Sequence, residues 1–336
     1  MSARSPIDTV LERANWMAGV VVAIIAYLAF AYTANWWPFL KDAQKTPEVG
    51  LTSPTSPTPT LTLKTVSVTP TANFAPKPTD TPRPTAIPTL GIGSSKISPI
   101  DGATMVYVPA GEFLMGSTDA DKQALDNEKP QHRVYLDAFW IDKFEVKNTL
   151  YEKCVTAGKC QLPNRTSSYA RNSYYGNSEY DNYPVIYVSL NDATTYCTWA
   201  SRKLPTEAQW EKAARWVDER IYPWGDTFNK SWFNANDPAK GDTKAVGMYS
   251  NDASLYGVMD MAGNVSEWVA DWYDAKYYSV PQAFNSWRNP QGPISGEYRV
   301  ARGGSWLGGL NEVRVTYRRY YAPNYWLNNV GFRCVE

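Results

Sequence analysis

The sequence predicts an α+β domain with little regular secondary structure, preceded by one apolar membrane-spanning helix. Three observations lead there. Stretches of period-two alternation stand close to stretches of helical spacing. Regular periodicity then fades after Arg215, where Trp224, Trp232, Trp268, Trp272 and Trp306 punctuate long turn-rich segments. An uncharged run, Trp16 to Thr33, lies near the start.

The N-terminal part divides by composition. Residues 1–15 are polar and read as a cytoplasmic tail. Residues 16–39 lack charge and end in Trp36, Trp37 and Phe39. About twenty apolar residues cross a bilayer, and Trp and Tyr favour its interfaces. A cleaved signal peptide would end in small residues; Ala34-Asn-Trp-Trp37 does not, so an uncleaved single-pass anchor is expected. Residues 40–97 are rich in Pro, Thr and Ser and read as an extended stalk. About fifty such residues at about 3 Å each reach about 150 Å. Residues 98–336 form the globular domain.

Within the domain, Met105–Gly116 reads as strand, turn, strand, with Pro109–Gly111 as the turn. Asn127–Val146 alternates like a half-buried strand pair. Asn148–Ala157 and Leu190–Ser201 have helical spacing, the second capped by Asn191 or Asp192. Thr206 and Gln209 form a capping box for a third helix, ending at Arg215.

The chain has 33 basic and 33 acidic side chains, so no basic excess marks a nucleic-acid footprint. Its 14 Trp and 23 Tyr suit a loop-rich domain tied by large rings, or a binding surface. His132 is the single His and cannot build a three-His metal site. Cys154, Cys160, Cys197 and Cys334 allow three pairings. With an anchor ahead of them they favour an oxidising compartment, placing the domain outside the cytoplasm.

Asp260-Met-Ala-Gly-Asn-Val-Ser-Glu-Trp268 draws most attention. Gly263 and Asn264 tolerate positive φ, and Asp260 and Glu267 flank the turn. Such a turn is either a solvated cap or a site for a hard cation with oxygen ligands.

This stretch, together with Pro184–Ala193, Arg202–Glu211, Arg302-Gly-Gly-Ser-Trp306 and Gly331-Phe-Arg-Cys334, resembles the formylglycine-generating enzyme, or sulfatase-modifying factor, family from about Asp101 to Glu336. The resemblance implies that family's variant of the C-type-lectin fold. It pairs Cys197 with Cys334, leaving Cys154 for Cys160. It implies a calcium site from Asp260, the Gly263 and Val265 carbonyls, and Glu267. A second calcium site would begin at Asn236, with Asp242 as the nearest acidic partner.

The family's copper cysteines lie three and eight residues after the Ser of Gly-Gly-Ser. Those positions here are Gly308 and Val313, counted from Ser305. Soft thiolates hold Cu(I), so copper is not expected. The iron site of the sulfoxide-synthase branch needs several His, so iron is not expected either. Arg302, Ser305 and Trp306 mark the former pocket. The favoured function is a membrane-anchored, extracytoplasmic ligand-binding or scaffold module for a protein or glycan. The alternative is an oxidoreductase of the same family, with Glu312 as general base and Tyr317 and Arg318 beside it.

Overall fold

The computed structural model describes residues 90–235, 241–280 and 287–336. The expected tail, the anchor, most of the stalk and Asn236 lie outside them. Among the described residues no helix is long and apolar enough to cross a membrane. Ser95–Ile97, expected to end the stalk, instead forms strand β1 of the domain. It pairs antiparallel with β2 (Thr104–Val108) through Lys96 opposite Met105.

The strand readings are right in position and wrong in pairing. β2 and β3 (Gly111–Met115) do not fold onto each other. β2 pairs with β5 (Phe139–Asp142), and β3 pairs with β4 (His132–Leu136). Val108 faces Phe139 and Gly111 faces Leu136, three residues on along both strands. The four strands are therefore one long antiparallel ribbon in a single register, broken where Pro109–Ala110 lies opposite Asp137–Ala138. Proline has no N–H to donate to a ladder, so the ribbon bends there and feeds two sheets. The freed carbonyls find a partner on a helix. Lys212 Nζ donates to Pro109 O and Gly111 O, both at 2.9 Å.

The helices follow their local signals. α1 covers Asn148–Thr156, α2 Leu190–Trp199 and α3 Glu207–Arg215. Thr206 and Gln209 form the expected capping box on α3. On α2 the cap is Ser189, whose hydroxyl accepts from the Asp192 N–H while Asp192 reaches back to the Ser189 N–H. The expected caps, Asn191 and Asp192, lie two and three residues past Ser189, inside the helix.

The remaining strands are β6 (Ser266–Trp272), β7 (Trp287–Arg288), β8 (Arg299–Arg302), β9 (Arg318–Tyr321) and β10 (Val330–Phe332). Sheet order is β10–β6–β8–β9, β1–β2–β5 and β3–β4–β7. The β10–β6 pair is parallel, and its C-terminal continuation crosses to the first sheet, where Val335 bridges Ile141 and Lys203. Trp210, Trp268 and Trp306 are fully buried between these layers. Rings of that size bury 150–250 Å² each, roughly 4–6 kcal/mol of transfer free energy. His132 is structural: it is buried, packs edge-on against Tyr278 and Trp287, and burial lowers its pKa.

Both disulfides are present, Cys154–Cys160 and Cys197–Cys334, with Cα–Cα distances of 5.3 and 5.7 Å. The second joins α2 to the residues after β10 across 137 positions. Chain-entropy arguments give about 5 kcal/mol for the long loop and about 2 kcal/mol for the short one. Cys334→Ser should therefore lower the urea midpoint much more than Cys160→Ser. Equal losses would contradict the loop-length account.

Burial lowers the Lys212 pKa to about 8, against about 10.4 in an unfolded chain. Between those values the unfolded chain keeps a proton that the folded chain has released. This group's contribution to stability therefore rises with pH from about 8 to about 10.4. Relative to Lys212→Met, the wild type should gain stability between pH 7.5 and 9.5 in paired urea titrations. A stability gap that does not change with pH would contradict this burial account.

Candidate functional site

The loop after β8 carries the Arg302-Gly-Gly-Ser-Trp306 motif, and its residues turn inward. Arg302 is wholly buried. Its guanidinium donates to Glu211 Oε2 at 2.5 Å and to the carbonyls of Val315, Thr316 and Tyr317 at 2.8–3.0 Å. It fixes the turn leading into β9. Gly303 and Gly304 have φ of +93° and +71°. A Cβ on Gly304 would lie 2.8 Å from Glu312 O, so glycine lets this loop approach the short 3₁₀ turn Leu310–Val313. Ser305 is buried and accepts from Asn329 Nδ2 at 3.1 Å. Trp306 donates to Asn328 O, and its ring meets the exposed Tyr169 at 5.3 Å.

The two positions that the resemblance assigns to copper cysteines are filled in different ways. Val313 is fully buried in an apolar cluster with Tyr222, Phe233, Ala235 and Ala262. The space beside Gly308 is taken by Glu312: a Cβ on residue 308 would lie 2.6 Å from Glu312 Oε2 and 3.1 Å from its Cδ. The other carboxylate oxygen, Oε1, accepts from Arg319 Nη1 at 2.5 Å. A charge pair thus stands beside the position where the resemblance implies a thiolate. The pair is partly open to solvent, with side-chain exposures of 15% for Glu312 and 37% for Arg319. Burial raises the Tyr317 and Tyr321 pKa values. Burial works against the Arg319 cation, yet Tyr321, Glu312 and Tyr317 together hold its pKa above the ordinary value.

Strand geometry divides the Tyr317–Tyr321 run. Successive residues of a strand point to opposite faces. Arg318, named as a candidate beside Glu312, points away from it. It is buried, holds both carboxylate oxygens of Glu207 at 2.8 and 3.0 Å, and lies over Tyr278 at 4.3 Å. Arg319 is the partner of Glu312. Arg319 is not among the residues the sequence singles out; the alternation of faces along β9 is the signal that separates it from Arg318.

The 260–267 turn has the expected backbone, with φ of +60° at Asp260, +102° at Gly263 and +58° at Asn264. A Cβ on Gly263 would lie 2.5 Å from Asn234 O. Asp260 accepts from the Gly247 N–H at 2.7 Å. Glu267 receives Arg333 Nε and Nη2, both at 2.6 Å, and Trp210 Nε1 at 2.9 Å. Two further acids join them. Glu145 accepts from Asn264 Nδ2 and the Val265 N–H, and Asp252 accepts from the Asp260 N–H.

Arg333 is the cation that counters these buried acids, and the imbalance shows in their pKa values. Burial, with Asp260 beside it, raises Asp252 to about 9, and burial raises Asp260 to about 6. The oxygen donors suit a hard cation. Among the described residues, however, no three Asp, Glu, His or Cys side chains converge closely enough to hold a metal. A Ca²⁺ bound through Glu267 would share that carboxylate with Arg333. Asp242, considered for the second site, is bound by Ser168, Ala170, Thr243 and Arg171.

Residues 94–336 match the family described as Sulfatase-modifying factor enzyme 1-like domain. The chain belongs to this family. It is 31% identical to the formylglycine-generating enzyme of Mus musculus, over 70% of this chain and 76% of that protein. Identity to the Thermomonospora curvata enzyme is 32%, over 68% of this chain and 92% of that protein. A mouse relative named inactive C-alpha-formylglycine-generating enzyme 2 is 30% identical, over 69% of this chain and 85% of that protein. Among solved structures, PvdO from Pseudomonas aeruginosa superposes with a TM-score of 0.62 at 25% identity, covering 74% of this chain and 99% of that one. Family membership and the mixed α/β fold of the family are thereby shown.

Gly308→Ala should push the flexible end of the Glu312 side chain aside and weaken its bond to Arg319, at a cost of about 0.2–1 kcal/mol, the range of a partly exposed ion pair. In a Glu312→Ala background the same change should be close to neutral in denaturant titrations. An equal cost in both backgrounds would contradict the contact.

Proposed function

We propose that this chain is a family member without copper chemistry, acting as a ligand-binding or scaffold module. The observation that carries the reading is the Glu312–Arg319 pair lying against Gly308, with Val313 sealed in an apolar cluster. Neither position offers a thiolate, and Cu(I) with two oxygen or nitrogen donors is held far less well than by sulfur. The inactive mouse relative supports the idea that this fold persists where the oxidation does not. The fitting ligand is a protein segment or a glycan, met by the half-open charge pair and the exposed ring of Tyr169 over Trp306. The C-type-lectin likeness, the membrane anchor at 16–39 and an extracytoplasmic domain belong to the same proposal.

The purified protein is expected neither to compete with a Cu(I) chelator nor to convert a Cys-containing sulfatase peptide to formylglycine by mass spectrometry. Formylglycine formation by the wild-type protein would overturn the reading. The second reading, an oxidoreductase with other residues, rests on the partly open Glu312 carboxylate. A copper-independent oxidation of a small molecule that disappears in Glu312→Gln would establish it.

Structural Ca²⁺ at Asp260, Gly263, Val265 and Glu267 is also proposed, supported by the excess of buried acids around Arg333. A ligand bound only by the folded state raises its melting temperature. The melting temperature should therefore climb with Ca²⁺, and Asp260→Asn should blunt the rise. Identical melting curves in calcium and in chelator would rule the site out.

A further inference from the structure

A cavity opens where the long ribbon breaks, and it shares no residue with the Glu312 pair. Its volume is about 280 Å³, just below the roughly 300–1,000 Å³ of pockets for drug-sized ligands. The break at Asp137–Ala138 forms one wall, the first turn of α3 a second, and the residues after β7 a third. Pro109 interrupts the ladder, so Asp137 and Ala138 line the cavity instead of pairing with a strand.

The polar groups around it are held from behind. Asn289 accepts from the Asp137 N–H at 2.9 Å, and its amide donates to Asp137 Oδ2 at 2.8 Å. Gln209 Oε1 accepts from the Thr206 N–H at 3.0 Å, the capping-box bond, and this fixes the orientation of its amide. Gln209 Nε2 has no partner among the described residues, and it is open to solvent. Gln291 is fixed in the opposite sense. Its Nε2 donates to Asn289 O at 2.9 Å, which leaves Oε1 to accept. One wall therefore offers an oriented donor and another an oriented acceptor.

Charge and apolar surface contribute little. The Asp137 carboxylate bonds to Arg288, and Glu336 bonds to Lys96 at 2.6 Å. Lys203 lines the cavity at its exposed rim, where solvent screens its charge. Leu136 and Phe139 also line it but are only 1% and 4% exposed, so an apolar ligand would bury little surface against them. A hydroxyl group both donates and accepts. A molecule with several hydroxyls can thus serve a fixed donor and a fixed acceptor at once.

We propose that this cavity binds one neutral sugar ring, whose hydroxyls accept from Gln209 Nε2 and donate to Gln291 Oε1. The volume suits a single ring. The site is independent of the Glu312 reading and stands or falls separately.

Isothermal titration of the full chain with a panel of neutral hexoses, their methyl glycosides and the matching uronic acids tests it. At least one neutral hexose should bind. Equal binding of its methyl glycoside would mark the ligand as the end unit of a glycan. Binding of the free sugar alone would mark it as a monosaccharide, and either result supports the site. Gln209→Glu keeps the capping-box acceptor and removes the donor. It should weaken binding about tenfold, the loss of one or two hydrogen bonds. Ala138→Trp, on the exposed wall, should abolish binding; if Gln209→Glu lowers the ligand-free melting temperature, Ala138→Trp carries the test alone. No binding by any neutral hexose at millimolar concentration would overturn the proposal. So would tighter binding of the uronic acids, or affinity that Ala138→Trp leaves unchanged.

Discussion

The buried ion pair between Arg333 and Glu267 is the contact on which the rest of the domain depends. Glu267 comes from β6 and Arg333 from the residue after β10. The guanidinium fills both carboxylate oxygens and also donates to the carbonyls of Asp142, Lys143 and Met259. One side chain thereby joins the end of β5, the turn before Asp260 and the central strand β6. Removing one partner of such a pair leaves a buried charge and typically costs about 3–5 kcal/mol. The pattern recurs. Arg202 meets Asp101 and Asp142, Arg302 meets Glu211, Arg314 meets Glu128, and Arg318 meets Glu207. In a domain with short strands and long loops, these forks satisfy loop carbonyls that no sheet reaches.

This division of labour explains how the family fold stands without cysteines at residues 308 and 313. Arg302 and the glycines after it shape the loop over Glu312, and Cys334 anchors α2. None of those tasks needs a metal at residues 308 and 313. Residue 313 carries an apolar side chain that fills a core cluster, and residue 308 carries none. Glu312 then occupies the space beside Gly308, and Arg319 holds it there.

Much of this was legible in the sequence, and the reason differs from element to element. The α3 capping box is local, so Thr206 and Gln209 announced it. The disulfide between Cys197 and Cys334 was implied by two family motifs, and the structure places them together. The ribbon was misread because Pro109-Ala-Gly111 looks like a hairpin turn; only the partner strand, with its own break at Asp137–Ala138, shows that the chain bends and continues. Arg318 and Arg319 are adjacent and chemically alike, and only the face of β9 separates a structural arginine from the partner of Glu312. Asp252 and Glu145 reach the 260–267 turn through tertiary contacts, which no local spacing records.

The most direct test of the central claim, that a Glu312–Arg319 pair has replaced copper ligation, is a crystal structure of the domain grown with Cu(I), with anomalous scattering recorded at the copper edge. The account predicts Glu312 bonded to Arg319 against Gly308 and no copper peak between Ser305 and Val313. A copper peak within bonding distance of Glu312 or Ser305 would contradict it.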